Sequence, residues 1–214
     1  MTAIELRILG CLVEKERTTP DQYPLTTNSL VLACNQKTNR EPVSSYIEHE
    51  VETCLQNLRD KGLVQTTRAA NERVYKHQHK LDNVLGVSSR SLALLAVLML
   101  RGKQTPGELR TRTERYTHFA SLDEVEAELE KLAQQQPPLA KNFGRGPGQS
   151  QNRWGQLLGG DEEKQRPRAR PVGARASTVE ALEAELTELK DKVAFLYEHL
   201  GLDPDEAELA DFPD

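Results

Sequence analysis

With 214 residues the chain can form one large or two small domains, and 37% hydrophobic with 29% charged residues is typical of a protein with exposed helices. The longest apolar run, residues 92–100, is too short to span a bilayer, and no basic segment precedes an apolar run near residue 1. We therefore expect no membrane partner and no signal peptide. The three cysteines lie at apolar helical positions, which predicts reduced core cysteines in a cytoplasmic protein.

The net charge of −5 is unevenly distributed along the chain. Residues 1–160 contain 21 Lys and Arg against 18 Asp and Glu, a balance of +3. Residues 161–214 contain 7 against 15, a balance of −8. Because the body is nearly neutral, charge gives only weak support for a polyanionic partner.

Three helices are predicted in the first third of the chain. Apolar residues at helical spacing predict an amphipathic helix over residues 4–16, which Pro20 ends because proline disfavours helix in the residue before it. A second helix is predicted to begin near Thr26 or Thr27, either of which is a good N-cap. A third is predicted from Ser45, whose side chain with that of Glu48 fits a capping box.

A pair of strands is predicted after the third helix. Gly62 suits the left-handed residue that ends a helix, and residues 63–69 and 73–79 can pair as antiparallel strands. Three helices followed by a two-stranded wing are the order of a winged helix-turn-helix domain. We predict such a domain over residues 1–80.

The same pattern returns later in the chain. Residues 94–106 repeat the apolar pattern of residues 8–20 up to a shared Thr-Pro, and residues 125–132 repeat that of residues 51–58. The first pair of segments is separated by 86 residues and the second pair by 74. The first copy therefore carries about twelve extra residues before its third helix. A second winged-helix domain is predicted over residues 81–160, with helices at 91–101, 107–116 and 122–135 and a wing at 139–158. Ser121 and Glu124 again fit a capping box at the start of the last of these helices. The predicted fold class is α+β, mostly α.

The C-terminal part should be a linker, a helix and a tail. Residues 161–177 contain a run of Arg, Pro, Ala and Gly that predicts a flexible basic linker, and residues 202–214 predict an acidic, mobile tail. Between them, residues 178–201 predict a coiled-coil-like helix with a heptad pattern of apolar residues, Val179, Leu182, Leu186, Leu189, Val193, Leu196 and Leu200. We favour a homodimer through these residues; docking back onto the winged domains is the alternative.

Several long strings resemble one bacterial family. Leu9–Lys15 (LGCLVEK), Thr18–Leu25 (TTPDQYPL), Ala33–Arg40 (ACNQKTNR), Arg101–Arg110 (RGKQTPGELR) and the Pro147-Gly148 turn are similar to the YceH family, and the resemblance covers roughly residues 1–160. The resemblance implies two tandem winged-helix domains in a cytoplasmic bacterial protein. The family is uncharacterised, so it implies no catalytic or ligand-binding residues.

A winged helix usually lays its third helix in the major groove of DNA. Both predicted third helices instead carry carboxylates: Glu48, Glu50 and Glu52 in the first, and Asp123, Glu124, Glu126, Glu128 and Glu130 in the second. Carboxylates repel phosphates, so a solvated or protein-docking face is the favoured interpretation of these helices.

Basic and amide groups cluster elsewhere and are the candidate contacts to nucleic acid or a partner. They are Asn35, Gln36, Lys37, Asn39 and Arg40 in a polar corner, Arg68, Arg73 and Lys76 on the first wing, Arg110, Arg112 and Arg115 on the second repeat's short helix, and Lys141, Arg145 and Arg153 on the second wing. If DNA is bound, Lys37 and Arg40 should contact phosphates. Alternatively, Asn35 and Asn39 only cap and turn the chain.

Signals for an enzyme are weak. His77 and His79 would share one face of a strand, but no third ligand at metal-site spacing accompanies them. The glycines of residues 144–148 lack the ending of a phosphate loop, and no Ser or Cys has the context of an activated nucleophile. We therefore expect no catalytic residue, no cofactor and no metal.

Two functions remain open. The first is a DNA-binding, transcription-regulator-like protein that uses the wings and the corner of residues 35–40. The alternative is a protein-interaction or scaffold module that uses acidic winged-helix faces and the C-terminal coil. An aromatic content of 5% fits poorly with stacking on single-stranded nucleic acid.

Overall fold

The computed structural model describes residues 1–68, 74–146 and 148–159, together with Thr187. In these residues the fold is α+β, with seven α-helices and small antiparallel sheets. The predicted linker, heptad positions and acidic tail fall outside the described residues, apart from Thr187, and so does Arg73. The homodimer stays a prediction.

The first half contains the three predicted helices and the predicted strand pair. The elements are α1 (Ala3–Thr18), a 3-10 turn (Pro20–Gln22), β1 (Leu25–Thr26), α2 (Thr27–Cys34), α3 (Glu48–Asp60), β2 (Val64–Thr67) and β3 (Lys76–His79). The strands form an antiparallel sheet in the order β1-β3-β2, with Leu25 opposite His77 and Val64 opposite His79. The short strand β1 was not predicted.

The second half again has three helices followed by a strand pair, with a short helix before them. The elements are α4 (Leu81–Leu85), α5 (Ser89–Arg101), α6 (Pro106–Thr113), α7 (Leu122–Gln134), β4 (Ala140–Asn142) and β5 (Trp154–Gln156). Strands β4 and β5 pair antiparallel, and Gln104 forms a bridge to Trp154. The segment before α2 in the first half therefore pairs with β3, and the segment before α6 in the second half pairs with β5. Helix α4 was not predicted.

Three predicted helix ends are confirmed. The hydroxyl of Thr26 accepts the Ser29 N–H at 3.2 Å, and that of Ser121 accepts the Glu124 N–H at 3.3 Å. The Glu124 carboxylate accepts the Ala120 N–H at 3.1 Å, so only the Ser121 half of the predicted capping box forms. Gly62 follows α3 with φ of 69°, which L side chains rarely adopt. These ends follow from local backbone hydrogen bonding.

The predicted start of α3 at Ser45 is wrong, because the helix begins at Glu48. The Asn35 amide donates to the Tyr46 carbonyl and accepts the Tyr46 N–H, each at 2.8 Å. These two bonds tie the segment before Glu48 to the end of α2 in a non-helical conformation. The hydroxyl of Ser45 therefore has no helix to cap.

Helices α1 and α5 pack against each other at the centre of one continuous core. Residues 5–14 of α1 and residues 91–100 of α5 are buried without interruption. The prediction of an amphipathic α1 is therefore wrong over this stretch, where Glu5, Arg7 and Glu14 are buried with polar partners. An apolar run such as residues 92–100 is expected when a helix is covered on all sides.

No helix in the described ranges has both the length and the apolar composition needed to cross a bilayer. Of the cysteines, Cys11 and Cys34 lie in the core as predicted, Cys54 is half-buried, and none forms a disulfide.

The close packing of α1 on α5 depends on Gly10. A Cβ at this position would lie 2.8 Å from Leu100 Cγ and 3.3 Å from Met99 Cβ. We expect Gly10→Ala to lower the free energy of unfolding by about 1–3 kcal/mol through overpacking, although alanine is the better helix former. Urea denaturation followed by circular dichroism measures the change.

Gly107→Ala in α6 is the matched control, because a Cβ there would meet only the Thr105 hydroxyl, at 3.9 Å. Its stability should be unchanged or raised by up to about 1 kcal/mol. An equal effect of the two substitutions would contradict the close approach of α1 and α5.

Candidate functional site

The polar corner, residues 35–40, follows α2 and is tied into the core through Arg40. The side chain of Arg40 is 0% exposed and forms an ion pair with Glu14 of α1, whose side chain is 3% exposed. Its Nε donates to the Ala33 carbonyl at 3.0 Å, and its Nη1 donates to the Asn39 carbonyl at 2.9 Å and to Glu14 Oε1 at 3.3 Å. The guanidinium is thus satisfied inside the protein.

The corner also joins the two halves. The Tyr116 hydroxyl donates to Glu14 Oε1 at 3.1 Å, and burial together with this carboxylate raises the pKa of Tyr116 above its ordinary value. The Glu41 N–H, next to the corner, donates to the Leu100 carbonyl at 2.9 Å. The Asn39 side-chain oxygen accepts a hydrogen bond from Arg101. Arg101 was not among the predicted contacts.

The remaining corner residues divide into internal and exposed groups. Gln36 accepts a hydrogen bond from Arg40 at 3.1 Å, and Asn39 adopts a left-handed conformation with φ of 59°. Together with the bonds of Asn35 to Tyr46, these contacts favour the structural alternative for both asparagines. Only Lys37 among the five predicted corner residues is exposed.

On the wings, three of the predicted cations are exposed: Arg68, Lys141 and Arg145. Arg68 lies over the Tyr75 ring with 5.0 Å between its Cζ and the ring centroid, and Arg145 lies near the tip of the second wing. Lys76 is half-buried in β3. Arg153 is engaged internally, since its Nη1 donates to Glu108 at 2.9 Å and to the Lys103 carbonyl at 3.1 Å.

The two predicted arginines of α6 lie in different surroundings. Arg110 donates to the carbonyls of Phe119 and Ala120 at 3.1 and 2.9 Å, so it holds the segment before α7. Arg112 lies 3.7 Å from Glu108. Arg110 therefore serves the fold, while Arg112 forms a longer ion pair with Glu108.

The third helices α3 and α7 present carboxylates to solvent. On α3, Glu48, Glu50 and Glu52 are all exposed. On α7, Glu128 is instead buried, where it accepts from Ser91 at 2.5 Å and pairs with Lys131 at 2.6 Å. Asp123, Glu126 and Glu130 remain exposed, and Glu124 pairs with Arg90.

A cavity of about 360 Å³, here called the α7 groove, lies between α7, the start of α6 and the second wing. Helix α7 lines it with Leu122, Glu126 and Glu130, and the wing contributes Arg145 and Trp154. Leu122 is 44% exposed, whereas Trp154 is buried. The volume lies in the range of ligand-binding clefts, and the two carboxylates outnumber the single cation in its lining.

The histidines of β3 have separate protein partners. His77 lies between the hydroxyls of Thr27 and Thr66, at 3.1 and 2.9 Å from its Nε2 and Nδ1. Burial, with the charge of Arg59, lowers the pKa of His77 to about 4. His79 Nε2 lies 3.0 Å from Glu16. Within the described chain, no group of three or more His, Cys, Asp or Glu side chains is placed to hold a metal ion.

These features define an α+β protein whose two halves share a core and whose third helices are acidic. The chain belongs to the family described as "Protein of unknown function, DUF480", whose model matches residues 1–149. It is similar to the UPF0502 protein YceH of Salmonella newport and of Salmonella heidelberg, each 43% identical over 94% of this chain and 98% of the relative. The YceH protein of Salmonella paratyphi B shares the same identity and coverage. The predicted resemblance to YceH proteins is confirmed.

Proposed function

We propose that the chain is a non-enzymatic tandem winged-helix protein that binds a basic segment of a partner protein in the α7 groove. The observation that carries the proposal is the exposed pair Glu126 and Glu130 beside the exposed apolar side chain of Leu122. Carboxylates around an apolar contact suit a segment that combines Lys or Arg with apolar residues.

The tandem winged-helix interpretation is supported by the repeated order of elements. Each half has three helices followed by an antiparallel strand pair, and the short α4 precedes those of the second half. The segment before α2 in the first half, and the segment before α6 in the second, pairs with the last strand of that half. The additional residues of the first half lie in the connections 19–26 and 35–47, and the second of these includes the polar corner. Loops that differ while the order of elements stays the same are typical of related domains.

The exposed carboxylates of α3 and α7 oppose contact with DNA through these third helices, since duplex DNA is a dense array of negative charge. Of the predicted cationic contacts, Arg40, Arg110 and Arg153 donate to protein acceptors. These bonds leave fewer donors for phosphates.

Binding to duplex DNA is the second candidate, favoured by the exposed cations Lys37, Arg68 and Arg145. Each phosphate contact made by such a cation would steepen the fall of affinity with salt. Arg145 also lines the α7 groove, so the two candidates share one surface and need a test in which they predict opposite results.

The double substitution Glu126→Gln with Glu130→Gln provides that test. Binding of a fluorescent peptide of Lys, Arg and Leu should weaken roughly 2- to 30-fold, because two surface ion pairs are lost. Binding of a fluorescent random-sequence duplex should instead strengthen if DNA meets this groove, because repulsion is removed. Fluorescence anisotropy measures both.

The matched control is Glu48→Gln with Glu52→Gln on α3, which changes the net charge equally outside the groove. Peptide affinity should stay near that of the unsubstituted chain. If both double variants weakened peptide binding equally, the change in net charge alone would explain the effect. That result would overturn the α7 groove as the binding site. Tight duplex binding, strengthened only by the groove variant, would replace the proposal with the DNA candidate.

A further inference from the structure

A second cavity, of about 170 Å³, lies between the polar corner and helices α5 and α6. Three guanidinium groups line it: Arg101 at the end of α5, Arg112 on α6 and Arg115 just after α6. Asn39 of the corner and Thr111 add polar groups. Among the described residues that line this cavity, here called the arginine cavity, there is no carboxylate.

Arg112 carries the main argument for a ligand. Its Nη1 is buried and has no hydrogen-bond partner in the part of the chain that the structure describes. Its nearest carboxylate, Glu108, lies 3.7 Å away, and Glu108 also pairs with Arg153 at 2.9 Å. Buried charged donors in native proteins are generally satisfied, so this N–H calls for an acceptor.

Arg101 adds a second reason. Burial lowers the pKa of Arg101, and the charge of Arg112, which lines the same cavity, lowers it further. Arg101 donates to the side chain of Asn39. The hydroxyl of Tyr116, which also lines the cavity, donates its proton to Glu14. An anion between the guanidinium groups would relieve their repulsion and accept a hydrogen bond from the unpartnered Nη1 of Arg112.

The size and donors of the cavity select the ligand class. Its volume is below the roughly 300 Å³ at which clefts for drug-sized ligands begin, so it suits a small ion or the head of a larger molecule. Guanidinium groups match the oxygens of phosphate in planar, paired hydrogen bonds. We propose that the arginine cavity binds a phosphate-type oxyanion, either inorganic phosphate or a small phosphomonoester.

The position of the cavity gives such binding a consequence. Asn39 belongs to the first half, and the three arginines belong to the second. A bound anion would therefore bridge the two halves, and any ligand that binds only the folded state raises its stability with concentration. This proposal is independent of the α7 groove.

The test uses the full chain and inorganic phosphate, with chloride at matched ionic strength as the reference. Phosphorus-31 NMR and isothermal titration calorimetry should show saturable binding, and thermal unfolding should shift upward with phosphate. Arg112→Gln should weaken binding by at least about tenfold, because a charge-assisted hydrogen bond is lost. Arg17→Gln, which removes an exposed arginine that lines neither cavity, should bind as the unsubstituted chain does.

Two further arms keep the outcomes distinct. If Arg112→Gln fails to fold, Arg115→Gln removes a more exposed cation from the same lining and should also weaken binding. Titration with glycerol 2-phosphate separates the two sources: binding of either phosphate compound supports the site. No saturable binding of either, equal affinity in all the arginine variants, or binding of duplex DNA alone would overturn the proposal.

Discussion

Arg40→Ala is expected to lower the free energy of unfolding by about 3–5 kcal/mol. Glu14 would be left buried without its cationic partner, and a lone carboxylate in the core is far more costly than an exposed one. The Ala33 carbonyl would also lose a donor at 3.0 Å. Urea denaturation at neutral pH, followed by circular dichroism, measures the loss.

Lys37→Ala, three residues away, is the matched control, because Lys37 is exposed in the same corner. Its effect should stay within about 0.5 kcal/mol. Combining Glu14→Gln with Arg40→Ala should cost less than the sum of the two single changes by about 0.5–3 kcal/mol, since the charges are coupled. Additive effects, or an Arg40→Ala change as small as that of Lys37→Ala, would contradict the buried pair.

The Arg40 contacts also change how DNA binding can be tested in the corner. A variant that combines Lys37→Ala with Arg40→Ala would lose stability before any phosphate contact is measured. Substitution of Lys37, Arg68 and Arg145 tests phosphate contacts without this loss of stability, because all three side chains are exposed.

Stability is expected to fall by about 2 kcal/mol between neutral pH and pH 5 because of His77. The folded pKa of about 4 lies below the ordinary value of 6.5. Between these values the unfolded chain binds a proton that the folded chain does not, so stability rises with pH. The contribution of His77 to the free energy of unfolding is complete above pH 6.5 and is lost progressively as the pH falls towards 4. Urea denaturation at a series of pH values measures this slope.

His77→Gln should remove most of this slope, although it also lowers stability at neutral pH by disturbing the bonds to Thr27 and Thr66. His49→Gln replaces an exposed histidine and should leave the slope unchanged. A slope that survives in His77→Gln would assign the pH dependence to other groups. The window ends at pH 5 because Glu and Asp side chains begin to take up protons below it.

Local patterns predicted most of the helices and strands. Thr26, Ser121 and Gly62 mark helix ends that the structure confirms, because each depends on hydrogen bonds or backbone angles within a few residues. The internal repeat of the apolar pattern predicted α5, α6, α7 and the second strand pair. Ser45 failed as a cap because the competing contact came from Asn35, ten residues earlier, whose amide binds Tyr46.

The candidate site was harder to predict, because the roles of its charged side chains depend on distant partners. Arg40 resembles an exposed loop arginine, yet its carboxylate partner is 26 residues away in the chain, and Tyr116 is 102 residues from the same Glu14. One feature of the sequence did indicate the burial of α1 against α5. Residues 92–100 have no polar face, and a helix of this kind is expected to be covered by other helices on all sides.

The sequence by itself determined the order of six helices and two strand pairs, though not β1 or α4, together with the acidic third helices and the family, since these depend on local spacing and shared strings of residues. Only the tertiary structure decided which cations are exposed. It places Arg40 in the core and Lys37 in solvent, and it brings Arg101 and Arg112 to one cavity. The physical reason is that desolvation and charge pairing depend on distances between segments, which residue spacing along the chain does not specify.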